Sequence, residues 1–424
     1  MQILKAAAIA LTIINTTVSR LPSCPNIPAP LCPYETAPGW SYVKVADGLH
    51  SPRDLVLDGK GRLLVVEEGL GISQHIVGSN GCITNTRLLI SNTDLNHGIS
   101  LSADGQTLYA SSSSSVFRWE YDPTTGDVSQ SPVLVVSGMA MSGHATRTLA
   151  IPPHRPDLLV VSHGSSSNLD LDTSDPTTAR AIVKVFNLSS IPIGGYNFVS
   201  QGWNAGFGLR NEVGLAFDGN NMLWGVENSA DNLARTLNGT TTDIHTDNPS
   251  EELNFLGDVT LANEDWYGYP VCFTVWSPDE LPDRVFKVGQ QFVQVPSPDF
   301  NDDTCAGVSV PPMLSFQAHS APLGCKFDAK FSNLFVAMHG SWDREPPTGY
   351  KVVAVPFAQG PGGAYAPTAA SWSTRGSIDV FYPPDETKCS SSTCIRPVGL
   401  AFDASMRLYV TSDTSGEVFL LSQA

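Results

Sequence analysis

Basic residues are scarce in this 424-residue chain: 24 Lys and Arg stand against 41 Asp and Glu, a formal charge of −17. An acid excess of that size repels phosphate backbones and anionic headgroups, which sets aside nucleic-acid and membrane-surface binding. Charge of either sign is thin, at 15% of residues, against about 25% in ordinary domains. After the first residues no segment reaches about 18 uninterrupted apolar positions, so none reads as a transmembrane helix. There is no P-loop, no G-x-S-x-G elbow and no G-x-G-x-x-G after a strand, which leaves nucleotide or flavin binding by those motifs without support. What is present is a 42% hydrophobic fraction with 36 Gly and 31 Pro, in short apolar runs. That is the profile of a turn-rich all-β protein with enough apolar surface for a sizeable core.

Lys5, the apolar run from Ala6 to Ile14 and the small residues from Thr16 to Ser19 predict a secretory signal over residues 1–19. The expected mature chain, 20–424, is then extracellular. Eight cysteines in an oxidising compartment predict disulfides, with zinc the minor alternative. Sequence proximity suggests Cys24–Cys32 and Cys389–Cys394. Asn187-Leu-Ser and Asn238-Gly-Thr are glycosylation acceptors, expected in surface loops.

A hairpin pattern recurs six times, starting at Leu55, Ile99, Leu149, Leu215, Cys325 and Leu400. Each copy alternates apolar residues, passes an Asp/Gly/Asn-rich turn and continues as a second apolar strand. Packed radially, the copies form a six-bladed β-propeller with long loop insertions, in one domain from 20 to 424. A stack of sandwich domains is the alternative. The Pro- and Asp-rich segment from Asp279 to Pro312 reads as an insertion in the fifth unit.

A strand that enters at one rim, turns and returns comes back to that rim. Arg53, His97, His144 with Arg147, Arg210-Asn211, His319 and Arg396 precede the first strands. Glu227 to Ala230, His339 to Trp342 and Ser412-Asp413 follow the second strands. All should share one mouth of the channel, where arginine forks suit carboxylates. The segment from Glu227 to Asp231 offers carboxylates and carbonyls of the kind Ca²⁺ takes.

These residues resemble a known family. Arg210-Asn-Glu-Val-Gly-Leu-Ala-Phe217 is similar to the R-N-x-x-G-L-A-F segment of soluble quinoprotein glucose dehydrogenases. Glu251-Glu-Leu-Asn254, Trp266-Tyr-Gly-Tyr-Pro270 and His339-Gly-Ser-Trp-Asp-Arg344 extend the likeness. The mature chain most resembles fungal pyrroloquinoline-quinone (PQQ)-dependent pyranose dehydrogenases. The resemblance implies PQQ and Ca²⁺ at the mouth of a six-bladed propeller, with a pyranose oxidised at its anomeric carbon. It implies His144 as general base and Ser229, Ala230 and Asp231 around the calcium. Arg210 and Asn211 would face the quinone oxygens, Arg396 and Arg53 the carboxylates, and Trp342 and Arg344 the ring face. His97 and His339 complete the implied cofactor contacts. Where the bacterial enzymes place Gly-Asp after the third hairpin, this chain has Ser162-His163. Electrons are expected to leave for a separate acceptor, such as a secreted cytochrome or a copper polysaccharide monooxygenase. A calcium-dependent propeller lactonase or esterase, and a non-catalytic propeller that binds a glycan or partner, are the alternatives.

Overall fold

The computed structural model describes residues 23–423, so the expected signal over 1–19 lies outside the described residues. Six sheets of four or more strands, antiparallel except for one outer pair, surround one axis. Their innermost strands are Pro52–Leu57, Leu95–Leu101, Leu149–Ala150, Glu212–Phe217, Pro322–Phe327 and Pro397–Phe402. They define blades 1 to 6 in chain order. All six repeats form the expected hairpins, because the apolar face of each has a buried partner only in the next blade. The residues that open them pair directly across: Leu55 with Val65, Ile99 with Ala110, Leu149 with Val161, Leu215 with Gly225, Cys325 with Val336 and Leu400 with Val410.

Glycine sets how tightly the innermost strands meet. A Cβ on Gly324 would stand 2.2 Å from the Val398 carbonyl oxygen of blade 6, and one on Gly214 would stand 2.3 Å from that of Leu323 in blade 5. Gly98 and Gly399 meet the next blade in the same way. The ring closes where Trp40–Ala46 pairs with Glu417–Gln423, so both ends of the described chain build blade 6. Lys44 reaches the buried Glu417 at 3.0 Å across that seam.

The Asp279–Pro312 insertion belongs to blade 4 rather than the fifth unit, because the outer strand of blade 4, Leu314–Phe316, follows it. Its Gln291–Val293 pairs as a ribbon with the preceding Cys272–Thr274, and it carries a helix, Asp302–Val308, capped by Asn301. Cys272–Cys305 ties the two together, and Cys389–Cys394 pairs as expected. Cys24 bonds Cys82 in blade 1, not Cys32. Cys24 packs with Cys82 into the cluster between blades 6 and 1, whereas Cys32 packs against the cluster between blades 5 and 6. Cys32 and Cys325 are free thiols. Asn238 is exposed in a hairpin turn, and Asn187 ends a strand half-buried. Among the described residues no helix is long and apolar enough to cross a membrane.

Gly324→Ala places its Cβ against backbone that cannot rotate away, and is expected to cost at least about 1–3 kcal/mol. Gly362→Ala meets nothing within 4 Å and should change stability by less than about 0.5 kcal/mol. Urea melts of both variants check the contrast.

Candidate functional site

The lead-ins to blades 3 to 6 meet in a cavity of about 270 Å³. His144, Arg210, Asn211, Ser229, Asp231, His339, Trp342 and Arg396 all line it. Asn228, Glu251, His319 and Ser341 complete the wall.

His144 sits on a loop held from below by Arg147. That guanidinium is fully buried and donates to the carbonyls of Ala140, His144 and Thr146 at 2.5, 2.6 and 2.7 Å. Burial pushes its pKa down to about 9. The His144 Nδ1 lies 3.1 Å from both the carbonyl and the hydroxyl oxygen of Ser165. A carbonyl only accepts, so Nδ1 carries the hydrogen and Nε2 keeps its lone pair. Burial first, and the Arg210 charge second, push the His144 pKa down to about 4. The imidazole is therefore neutral at pH 7. Gly164 permits this packing, since a Cβ there would stand 2.7 Å from both the His144 Cβ and the Asn211 Oδ1. Ser162 and His163 take no part: His163 is buried, bonded to the carbonyls of Ala179 and Ala140.

Arg210 is the hub of the opposite wall. Its guanidinium donates to the Asp231 carboxylate at 2.8 Å, to the Asn168 side chain at 2.9 Å and to the Ser229 carbonyl at 2.5 Å. Its backbone N–H donates to Glu227 at 2.6 Å. Behind Glu227 lie Glu212 and Glu252, gathered around Asn254, whose amide donates to Glu212 and Glu227. Burial and then mutual repulsion hold Glu227 well above the usual carboxylate range. Burial raises Glu251 to about 7, while it accepts the Ser229 N–H at 2.7 Å.

Arg396 donates to the carbonyls of His339 and Gly340 at 3.1 and 2.7 Å and lies 5.7 Å above the Tyr350 ring. Trp342 is 68% exposed at the cavity edge, a free aromatic face. Three of the expected cofactor contacts lie outside the cavity lining. Arg53 and His339 share Asp413, at 2.5 and 3.0 Å, which leaves Arg53 behind His339. His97 is buried beside that pair, facing the channel, with its Nδ1 unpartnered. Arg344 is bound to Asp247 at 2.8 Å.

Ligand atoms of Asp231, His319 and Asp343 lie within 4.8 Å of one another. Two carboxylates with nearby carbonyls fit a hard divalent cation such as Ca²⁺. Asp231 belongs to the expected calcium set, and Asp343 and His319 stand beside it. The Ser229 carbonyl is taken by Arg210, and Ala230 packs into an apolar cluster. Arginine donors, the Asn211 amide and the free Trp342 face likewise fit a flat, multiply acidic group. Sequence reasoning missed Ser165 and Asn168, which carry no motif, and Asp343, which stood inside the quoted His339–Arg344 segment. Glu251 stood in a quoted motif and could have been singled out.

A propeller with a neutral histidine, an arginine wall and a carboxylate pair converging on its mouth defines a class of cofactor-binding propeller proteins. The chain belongs to the TrAA12-like family, whose model matches residues 34–424. It is 40% identical over 408 residues to the pyrroloquinoline quinone-dependent pyranose dehydrogenase of Coprinopsis cinerea, covering 95% of this chain and 56% of that protein. The chain thus spans about half the length of that relative. The holo form of the PQQ domain of pyranose dehydrogenase from Coprinopsis cinerea superposes with a TM-score of 0.92, at 40% identity, covering 94% of this chain and 99% of that one. A calcium structure of the Trichoderma reesei family AA12 enzyme gives 0.89 at 36% identity, over 95% and 100% of the two chains.

In the cofactor-free protein, His144 is expected to titrate near pH 4 by NMR. A neighbouring cation disfavours the imidazolium, so Arg210→Ala should move the midpoint upward. An unmoved midpoint would leave burial as the whole cause.

Proposed function

We propose that this chain is a quinoprotein sugar dehydrogenase that oxidises a pyranose at the anomeric carbon with PQQ and Ca²⁺. One observation carries the reading: a neutral histidine, oriented by Ser165, presents a free Nε2 to a cavity walled by Arg210 and Arg396. The holo and calcium structures of close relatives support it. When bound, PQQ supplies the hydride acceptor and Ca²⁺ a Lewis acid.

The residues of the chain do the rest. Arg210, Asn211 and Arg396 would hold the cofactor oxygens, and Trp342 would cover its face. Asp231 and Asp343, with nearby carbonyls, would hold the cation, beside His319. His144 Nε2 accepts the proton of the anomeric hydroxyl, while the hydrogen bond to Ser165 keeps the ring aimed. The electrons would pass to a separate acceptor such as a secreted cytochrome or a copper polysaccharide monooxygenase. Export to the extracellular space, directed by residues 1–19, accords with the three disulfides.

Reconstitution with PQQ and Ca²⁺, followed by dye reduction with fucose, glucose and ketoaldoses, tests the reading. His144→Ala should retain PQQ and lose roughly 10²–10⁴-fold in turnover; near-normal turnover would remove His144 as base. Arg210→Ala should weaken PQQ retention, and EGTA should lower turnover until Ca²⁺ is restored. Lactone cleavage without PQQ binding would favour the hydrolase instead.

A further inference from the structure

A second cavity, a lateral cleft of about 350 Å³, lies between blades 4 and 5 outside the mouth. Its walls are the edge strand Leu314–Phe316, the turn 317–320 and the segment 374–379. Gly376 seats the last wall: it is buried, and a Cβ there would stand 2.4 Å from the Leu314 side chain. A single turn separates the cleft from the mouth. His319 and Ala321, both with left-handed backbone at φ 63° and 55°, line the mouth, and Ser320 between them lines the cleft. Strained backbone of this kind persists where the surroundings over-determine it, commonly at ligand sites.

The lining has a consistent chemistry. Trp276 stands partly exposed, with its indole N–H unpartnered among the described residues. Ser320 is only 4% exposed, yet its hydroxyl has no partner. A buried hydroxyl left unpaired is costly, and such a group calls for one. Thr348 donates to the Gln317 carbonyl oxygen at 2.9 Å, which leaves the Gln317 NH₂ free. Lys351 lies 3.2 Å from both Asp379, in the lining, and Glu386, outside it, and Arg375 stands exposed with no carboxylate partner among the described residues. Lys351 is neutralised by that pair, and Arg375 keeps its donors for a ligand.

We propose that this cleft is a second binding site, separate from the chemistry at the mouth, for a neutral pyranoside. A sugar matches it on both counts. Its hydroxyls donate and accept, as Ser320, Gln317 and Arg375 require, and its C–H face lies flat on an indole. Pyranosides with all-equatorial substituents, such as β-linked glucosides, present the flattest face.

The test titrates cellobiose into the cofactor-free full chain by calorimetry and ligand-observed NMR, with sodium glucuronate as the charged comparison. No turnover is measured, so failure here is distinct from failure of the dehydrogenase reading. Saturable cellobiose binding is expected, weakened at least tenfold in Trp276→Ala and several-fold in Ser320→Ala and Arg375→Ala. Trp342→Ala, at the mouth, should bind within twofold of the parent. Should Trp276→Ala fail to fold, Arg375→Ala, at an exposed position, decides. No saturable binding, binding indifferent to Trp276 and Arg375, loss in Trp342→Ala, or preference for glucuronate would each overturn the proposal.

Discussion

A carbonyl oxygen of one innermost strand lies where a side chain of its neighbour would otherwise begin. That contact, repeated at Gly98, Gly214, Gly324 and Gly399, fixes how closely neighbouring innermost strands pack around the axis. Every lead-in residue inherits its place from the spacing. His144 enters blade 3, Arg210 blade 4 and Arg396 blade 6, and no local contact joins all three. They line one cavity because the ring holds its radius and the seam between 40–46 and 417–423 prevents it from opening.

Within the mouth, burial decides the protonation states and hydrogen bonds decide the aim. His144 is kept neutral by desolvation and a neighbouring cation, then turned by a serine carbonyl. A carboxylate in that role would have raised its pKa and favoured the charged ring. Behind Arg210, three buried glutamic acids share few donors, and their pKa values rise in consequence. The arginine is thereby positioned through its backbone, and its guanidinium is fixed in the cavity wall by Asn168, Ser229 and Asp231.

Much of this was readable in advance, for a physical reason. The hairpins announce themselves by period-two alternation and turn chemistry, both local properties, and rim membership follows from counting strand reversals. Eight of the twelve residues singled out do line the cavity. The failures are those where side-chain length and loop path matter. Arg53 and Arg344 start near the rim but are held by Asp413 and Asp247, acids distant in sequence. Ser165, Asn168 and Asp343 sit on loops whose course no periodicity records. The Cys24–Cys32 pairing failed because proximity along the chain is no guide when the two ends of the segment pack into different inter-blade clusters.

Arg147 carries a further implication. Its charge is solvated by three backbone dipoles and cancelled by no acid, so the floor beneath His144 stays electropositive inside a molecule of net charge −17. The far field and the near field of this protein therefore have opposite signs. A polyanion approaching through dilute electrolyte is first turned away and only then drawn in. Raising ionic strength would lower the outer barrier sooner than the inner well, because shielding acts on distant charges before buried ones.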